Sequence, residues 1–138
     1  MKSIIAILIP FILFSCAKGQ AMASIDDFKW ENRIIIVGVS GSGDTYAASL
    51  KKRNPGITDR DIVWFVVDSR GVRSNLASVD ARLEKSVKAF LAGKDDKPEV
   101  ILIGKDGGVK HRSDELDMDA LFKQIDAMPM RIREMKNQ

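Results

Sequence analysis

The sequence of 138 residues has few of the side chains that carry thiol and metal chemistry, with one cysteine, Cys16, and one histidine, His111. Because Cys16 ends an N-terminal apolar stretch, the domain that follows it lacks a thiol, a disulfide and a cysteine ligand for a metal. A zinc or haem site built on one histidine is not expected either. The sequence therefore predicts no metal and no cofactor.

An excess of charge of one sign is also lacking. The chain has 22 Lys and Arg residues against 19 Asp and Glu residues. Two of the basic residues, Lys2 and Lys18, precede residue 24, so 22 less these two leaves 20 basic against 19 acidic residues, a net charge of +1. A domain with this balance has no electrostatic footprint for nucleic acid, and no nucleic-acid partner is expected.

The N-terminus carries an apolar run at residues 4–14, between Lys2 and the small residues around Ser15. This arrangement is typical of a secretory signal, and the run is shorter than the roughly 20 apolar residues of a transmembrane helix. The sequence therefore predicts an exported domain at residues 24–138.

Two processing sites remain open for this segment. The residues before Cys16 are similar to a bacterial lipobox, which would remove residues 1–15 and lipidate Cys16. Ala21-Met22-Ala23 instead offers a signal peptidase site that would remove residues 1–23. The first predicts an envelope protein attached to a membrane only by its lipid anchor, and the second a periplasmic or secreted one.

Three apolar, largely β-branched runs, at residues 34–39, 62–68 and 100–103, predict buried strands. After the third run comes a turn cluster whose Asp106-Gly107 pair supplies the positive φ angles of a tight hairpin, and Val109 begins a return strand.

Three helices are predicted around these strands. The first is N-capped by Asp44 and stopped by the Asn54-Pro55-Gly56 turn. The second follows apolar positions at helical spacing in residues 79–91, with Gly93 as its C-cap, and the third covers residues 118–135 with a kink or restart at Pro129.

The resulting order, β-α-β-α-β-β-α, predicts an α/β domain with a thioredoxin-like fold and a mixed four-stranded sheet. Pro98 precedes the hairpin roughly where thioredoxin-like proteins carry a cis-proline, and whether it is cis is left open.

Four segments carry a family resemblance: Trp30-x-Asn32-Arg33, Arg60-Asp61, residues 102–110 and residues 125–131. They resemble the thioredoxin-like bacterial family known as domain of unknown function 4174. The resemblance covers nearly all of the chain beyond the signal and implies a thioredoxin-like fold. Related domains look to be present in secreted animal matrix proteins with sushi repeats, for which a peroxiredoxin-like activity has been suggested. The family carries no established catalytic residues to transfer.

In thioredoxins and peroxiredoxins the reactive cysteine lies in the loop after the first core strand. Here that loop reads Ser40, Gly41, Ser42, Gly43 and Asp44. Serine cannot form the disulfide or the sulfenic acid of a thiol enzyme, so neither a thiol-disulfide oxidoreductase nor a peroxiredoxin is expected. Glycine-rich backbone at a helix N-terminus can bind an anion, although Asp44 places negative charge there; a tight turn is the structural alternative.

Two further groups of residues stand out, one a candidate for contacts with a partner and the other a charged surface. Proline inside the last helix brings Met130, Arg131 and Arg133 together as a candidate interaction patch, while the structural alternative is that the methionines only fill packing gaps. A small basic cluster around the hairpin is interpreted as a solvated face; it comprises Lys105, Lys110, His111 and Arg112.

Taken together, the residues favour an exported binding or interaction module without a redox centre, with an unidentified partner in the envelope or outside the cell. The alternative is an enzyme or small-anion binder that uses the loop at residues 40–45.

Overall fold

The computed structural model describes residues 22–93 and 96–138. The predicted signal segment falls almost entirely on residues outside this part, and so does Cys16. The described chain is a mixed α/β domain, as the strand and helix patterns predict.

One five-stranded sheet organises the domain, in the order β3-β2-β1-β4-β5. Its strands are β1 (Arg33–Gly38), β2 (Ile62–Asp68), β3 (Gly71–Ser74), β4 (Glu99–Ile103) and β5 (Val109–Ser113). The predicted number of four strands is wrong because β3, a short edge strand without an apolar run, pairs antiparallel with the end of β2.

The pairing at the centre of the sheet agrees with the predicted pattern. β1 is parallel to β2 and antiparallel to β4, so Ile35 lies opposite Trp64 on one side and Leu102 on the other. All three side chains are buried. Continuous apolar runs form strands that are covered on both faces, as sequence periodicity predicts.

In the described ranges, five helices accompany the sheet: α1 (Asp44–Lys52), α2 (Asn54–Asp59), α3 (Ala81–Lys88), α4 (Met118–Asp126) and α5 (Pro129–Lys136). The predicted stop at residues 54–56 ends α1 but also begins α2, since Pro55 stands in the first turn, where its missing N–H costs nothing. The predicted restart at Pro129 is confirmed.

The helices and strands form two apolar layers, one on each side of the sheet. On one side, residues such as Ile35, Trp64 and Leu102 pack against α1, α2 and α4. On the other side, Ile36, Phe65 and their neighbours pack against α3 and the short 3-10 turn Ile25–Phe28. Because successive strand residues point to opposite faces, each central strand contributes to both layers.

The β4–β5 connection is the predicted hairpin. Gly107 has φ of +81°, and its amide donates to the Gly104 carbonyl at 3.0 Å. The Asp106 side chain closes the turn by accepting from the Gly108 amide at 3.0 Å.

The strand directions give the sheet two distinct ends. β1 and β2 both finish at one end, with Gly38 and Asp68, where β4 begins at Glu99. This end is called the carboxyl end below. Arg33 and the close of β4 lie at the opposite, amino end.

No helix in the described ranges combines the length and the apolar character required to cross a membrane.

Candidate functional site

The loop after β1 lies at the carboxyl end of the sheet. Ser40, Gly41 and Ser42 are exposed, whereas Gly43 is buried and precedes α1 as its N-cap. The predicted N-cap, Asp44, is instead the first residue of the helix. Its carboxylate makes other contacts, accepting from the Ser42 hydroxyl at 2.8 Å.

Asp68, the last residue of β2, occupies the position next to this loop. Its side chain is 1% exposed and accepts from the Gly43 amide at 2.9 Å and from the Arg70 amide at 2.8 Å. The Arg73 guanidinium adds a third bond at 2.7 Å. These hydrogen bonds, chiefly those from the Gly43 and Arg70 amides, hold the pKa of Asp68 well below its usual range.

Arg70 and Arg73 connect Asp68 to Asp44. Arg70 Nη2 lies 2.9 Å from Asp44 and 3.1 Å from Asp68, and Arg73 also bonds to both carboxylates. Bonds from Arg70, Ser42 and Arg73 lower the pKa of Asp44 to about 2. The loop amide and both guanidiniums are thus bonded to carboxylates of the protein itself.

A cleft of about 710 Å³, here called the loop cleft, opens beside these residues. Its lining includes Ser40 from the loop, Asp68, and Pro98 and Glu99 at the start of β4. Pro98 is trans, as is every peptide bond between described residues. The carboxyl ends of parallel strands are a common place for ligands in α/β proteins.

The second cleft lies at the amino end of the sheet, where α4 meets α5, and has a volume of about 520 Å³. We call it the Met–Pro–Met cleft, after Met128, Pro129 and Met130. Its other lining residues are Arg33, Lys105, Asp106, Lys110, Gln124 and Ala127. Met130, which the sequence singled out, therefore lies in a cleft.

The other two residues of the predicted interaction patch lie elsewhere. Arg131 is 2% exposed, and its Nη1 donates to the Asp59 carbonyl at 2.8 Å while its Nη2 pairs with the Asp59 carboxylate. It links α5 to α2 and is not available to a partner, which corrects the expectation for this residue. Arg133 is exposed.

Two of the cations that line the Met–Pro–Met cleft are buried, and the sequence did not predict their burial. Arg33 is 1% exposed and holds the Glu134 carboxylate with two bonds, at 3.1 and 3.2 Å. Lys105 is 9% exposed and lies 2.8 Å from both Asp61 and Glu134. Lys105 is therefore not part of a solvated face as the sequence suggested.

Arg33, Asp61, Lys105 and Glu134 form an ion cluster in which Lys105 and Glu134 are kept charged. Burial lowers the pKa of Lys105, but hydrogen bonds to Asp61 and Glu134 outweigh burial and leave that pKa above its ordinary value. Burial likewise opposes ionisation of Glu134, yet bonds from Arg33 and Lys105 bring its pKa below the ordinary value. The Nε of Arg33 is buried and has no hydrogen-bond partner among the described residues.

Backbone strain is found next to the same cluster. Trp30 and Asp61 have φ of +70° and +50°, and they are the non-glycine residues with positive φ in the described part of the chain. The Trp30 amide donates to the Lys105 carbonyl at 2.6 Å, and the Asp61 carboxylate accepts from the Lys105 ammonium. Strained backbone of this kind is concentrated at functional sites in proteins.

The segments that carry the family resemblance meet at this end of the molecule. Arg33, Asp61 and Lys105 come from three of them and contact one another or share Glu134 as partner. The fourth supplies Met128 and Met130 to the cleft. Spacing along the chain gave no sign of this meeting point, because its residues lie far apart in sequence.

Comparison with known proteins places the chain in a family. No curated protein and no solved structure matches it. A family model described as "Domain of unknown function (DUF4174)" matches residues 24–134. The match covers most of the chain, which therefore belongs to the DUF4174 family.

Proposed function

We propose that this protein is a binding module without thiol chemistry, and that its ligand site is the Met–Pro–Met cleft. One observation carries the proposal: Arg33 and Lys105, 1% and 9% exposed, both line a cleft of about 520 Å³. Buried charges are normally paired, as Arg33 and Lys105 are with Glu134. A cleft with a mainly apolar wall and a few convergent charged groups is the usual form of a ligand site.

The proposal includes a thioredoxin-like arrangement of the domain. Three pairings support this arrangement: β1 is parallel to β2, β4 is antiparallel to β1, and β5 is antiparallel to β4. β3 is an additional strand at the edge of the sheet. The arrangement leaves the Met–Pro–Met cleft at the end opposite the loop after β1.

The loop after β1 supports binding over redox chemistry. Its residues are serine, glycine and aspartate, and the single cysteine of the chain is Cys16. A thiol cycle has no nucleophile in this loop. The N-terminal sequence supports export, which makes the expected partner a component of the envelope or the surroundings of the cell.

An alternative function uses the loop itself as a site for a small anion. The observation that favours it is the exposure of Arg70, whose side chain is 58% exposed next to the loop. The bonds that Arg70 and Gly43 already make to Asp44 and Asp68 weigh against it, because an incoming anion would compete with both carboxylates. We therefore rank this function second.

Thermal unfolding of residues 24–138 against a panel of organic acids, amines, sugars, nucleotides and metal ions tests the proposal. A ligand at 100 times its Kd adds ~2.7 kcal/mol to the stability of the native state, which raises Tm by several degrees. Two matched variants locate the site: Met130→Trp fills the Met–Pro–Met cleft, and Ser40→Trp fills the loop cleft.

A shift in Tm that Met130→Trp removes and Ser40→Trp preserves is the expected result. The opposite pattern would assign binding to the loop cleft and support the alternative. A panel without any shift would contradict both.

A further inference from the structure

The cations of the Met–Pro–Met cleft each have a carboxylate partner within the protein. Lys110 lies 2.7 Å from Asp106, and both residues line the cleft. Arg33 pairs with Glu134, and Lys105 pairs with Asp61 and Glu134, two carboxylates that are not among the described lining residues. A negative group of a ligand therefore uses the N–H donors that these carboxylates leave free.

Apart from Gln124, the rest of the wall is apolar. Ala127, Met128, Pro129 and Met130 follow one another along the α4–α5 junction and all line the cleft. Methionine side chains are flexible and adapt to ligands of different shape. A volume of about 520 Å³ lies within the range of small-molecule sites, roughly 300–1,000 Å³.

The buried cations have more donors than the protein satisfies. Arg33 Nε has no acceptor among the described residues. The Lys105 ammonium carries three N–H groups and lies near two carboxylates, those of Asp61 and Glu134. Because a buried donor without an acceptor is costly, an additional acceptor in the cleft stabilises the cluster. Since Nε itself is buried, a ligand meets the ammonium groups of Lys105 and Lys110 first.

From this combination we propose that the Met–Pro–Met cleft binds a carboxylate carried on a short apolar chain. The carboxylate lies at Lys105 and Lys110, and the chain lies along Met128 and Met130. This inference rests on the proposed function and names the ligand class of the same cleft. The same chemistry is offered by a free aliphatic acid and by the C-terminal carboxylate of a peptide with an apolar last residue.

Isothermal titration of residues 24–138 with hexanoate, hexan-1-ol and hexylamine tests the inference. Hexanoate is expected to bind at least tenfold more tightly than the alcohol, and the amine not at all. Lys105→Met is expected to weaken hexanoate binding at least tenfold. The control Lys85→Met removes the same charge from an exposed position of α3 and leaves binding unchanged.

Lys105 is buried, so its variant is first checked for cooperative unfolding. If Lys105→Met does not fold, Lys110→Met provides the test at an exposed position of the cleft, with an expected loss of severalfold. Hexanoate binding that equals hexanol binding, or that no lysine of the cleft affects, would overturn the inference.

A tripeptide ending in leucine, with a free or an amidated C-terminus, distinguishes the two sources of carboxylate. Binding of the free peptide and not of the amide assigns a peptide terminus, and binding of hexanoate alone assigns a small acid; either supports the inference. If neither carboxylate binds while another compound of the panel loses its effect in Met130→Trp, the carboxylate inference fails and the binding function stands. If the whole panel is without effect, both fail.

Discussion

Arg33 and Glu134 are 101 positions apart in the chain, yet their side chains form a two-bonded ion pair at 3.1 and 3.2 Å. The pair joins the first strand to the last helix at the amino end of the sheet. Glu134 also lies 2.8 Å from Lys105, so one carboxylate serves two buried cations. Arg33 and Lys105 therefore share Glu134, while Lys105 has Asp61 as a second partner.

Replacing Glu134 by glutamine is expected to destabilise the domain. The change removes the charge that compensates Arg33 and Lys105, and breaking such a buried pair costs about 3–5 kcal/mol. Because Glu134 is 24% exposed, we expect a smaller loss in the free energy of unfolding, about 1–3 kcal/mol. Urea unfolding measures it. Glu115→Gln, at an exposed position, is the control and should stay within about 0.5 kcal/mol; equal effects of the two variants would contradict the role of Glu134.

Gly43→Ala is expected to disturb the loop after β1. A Cβ at this position would lie 2.5 Å from Val66 Cγ1 and 2.8 Å from Arg73 Nη2, and Val66 is buried. Overpacking of this kind costs about 1–3 kcal/mol. Gly41→Ala is the matched control, since a Cβ there has no neighbour within 4 Å. Thermal unfolding of both proteins checks the difference, and equal Tm values would show that Gly43 is not closely packed.

Acid should weaken the carboxyl end of the sheet. The pKa of Asp44 lies at about 2 in the folded protein against 3.8 ordinarily, and that of Asp68 is also lowered. As pH falls from about 4 to 2, the unfolded chain therefore binds protons that the folded chain does not, and the stability present above pH 4 is lost.

A urea midpoint measured at a series of pH values follows this loss. Asp44→Asn should make the decrease between pH 4 and 2 shallower. Asp96→Asn makes the same change of charge outside the cluster and should leave the slope as it is. A wild-type slope in Asp44→Asn would mean that Asp44 is not held by the two arginines.

Trp30 should tolerate asparagine better than valine. Its φ of +70° is disfavoured for residues with a Cβ, by about 1–2 kcal/mol, and asparagine accepts this conformation more readily than a β-branched residue. The side chain is 65% exposed, so little packing is lost in either variant. Chemical unfolding should show Trp30→Asn to be more stable than Trp30→Val by roughly 1 kcal/mol. The reverse order would indicate that the backbone leaves this conformation.

The central strands and the hairpin could be predicted because their signals are local. Residues 34–39 and 100–103 are continuous apolar runs, and the Asp106-Gly107 turn carries its own conformational requirement. β3 could not be predicted, because the Gly71–Ser74 segment has no alternation of apolar and polar residues and its residues are half-buried at an edge of the sheet. α2 was missed because a proline that ends one helix can also begin the next.

The candidate site was only partly accessible from the sequence. Met130 could be singled out by its proline neighbour, but the burial of Arg33 and Lys105 depends on Glu134, which the fold brings from the other end of the chain. Charged residues next to strands are usually exposed, so sequence patterns place them on the surface. Arg33 did give one signal, its position directly before an apolar run.

The most direct test of the account is a titration of the ¹⁵N-labelled domain with hexanoate, followed by its amide NMR spectrum. We expect saturable shifts at residues that line the Met–Pro–Met cleft, namely Lys110, Gln124, Met128 and Met130, and none at Gly41, Ser42 or Gly43. Saturable shifts confined to the loop, or no saturable shift at all, would contradict binding at the Met–Pro–Met cleft.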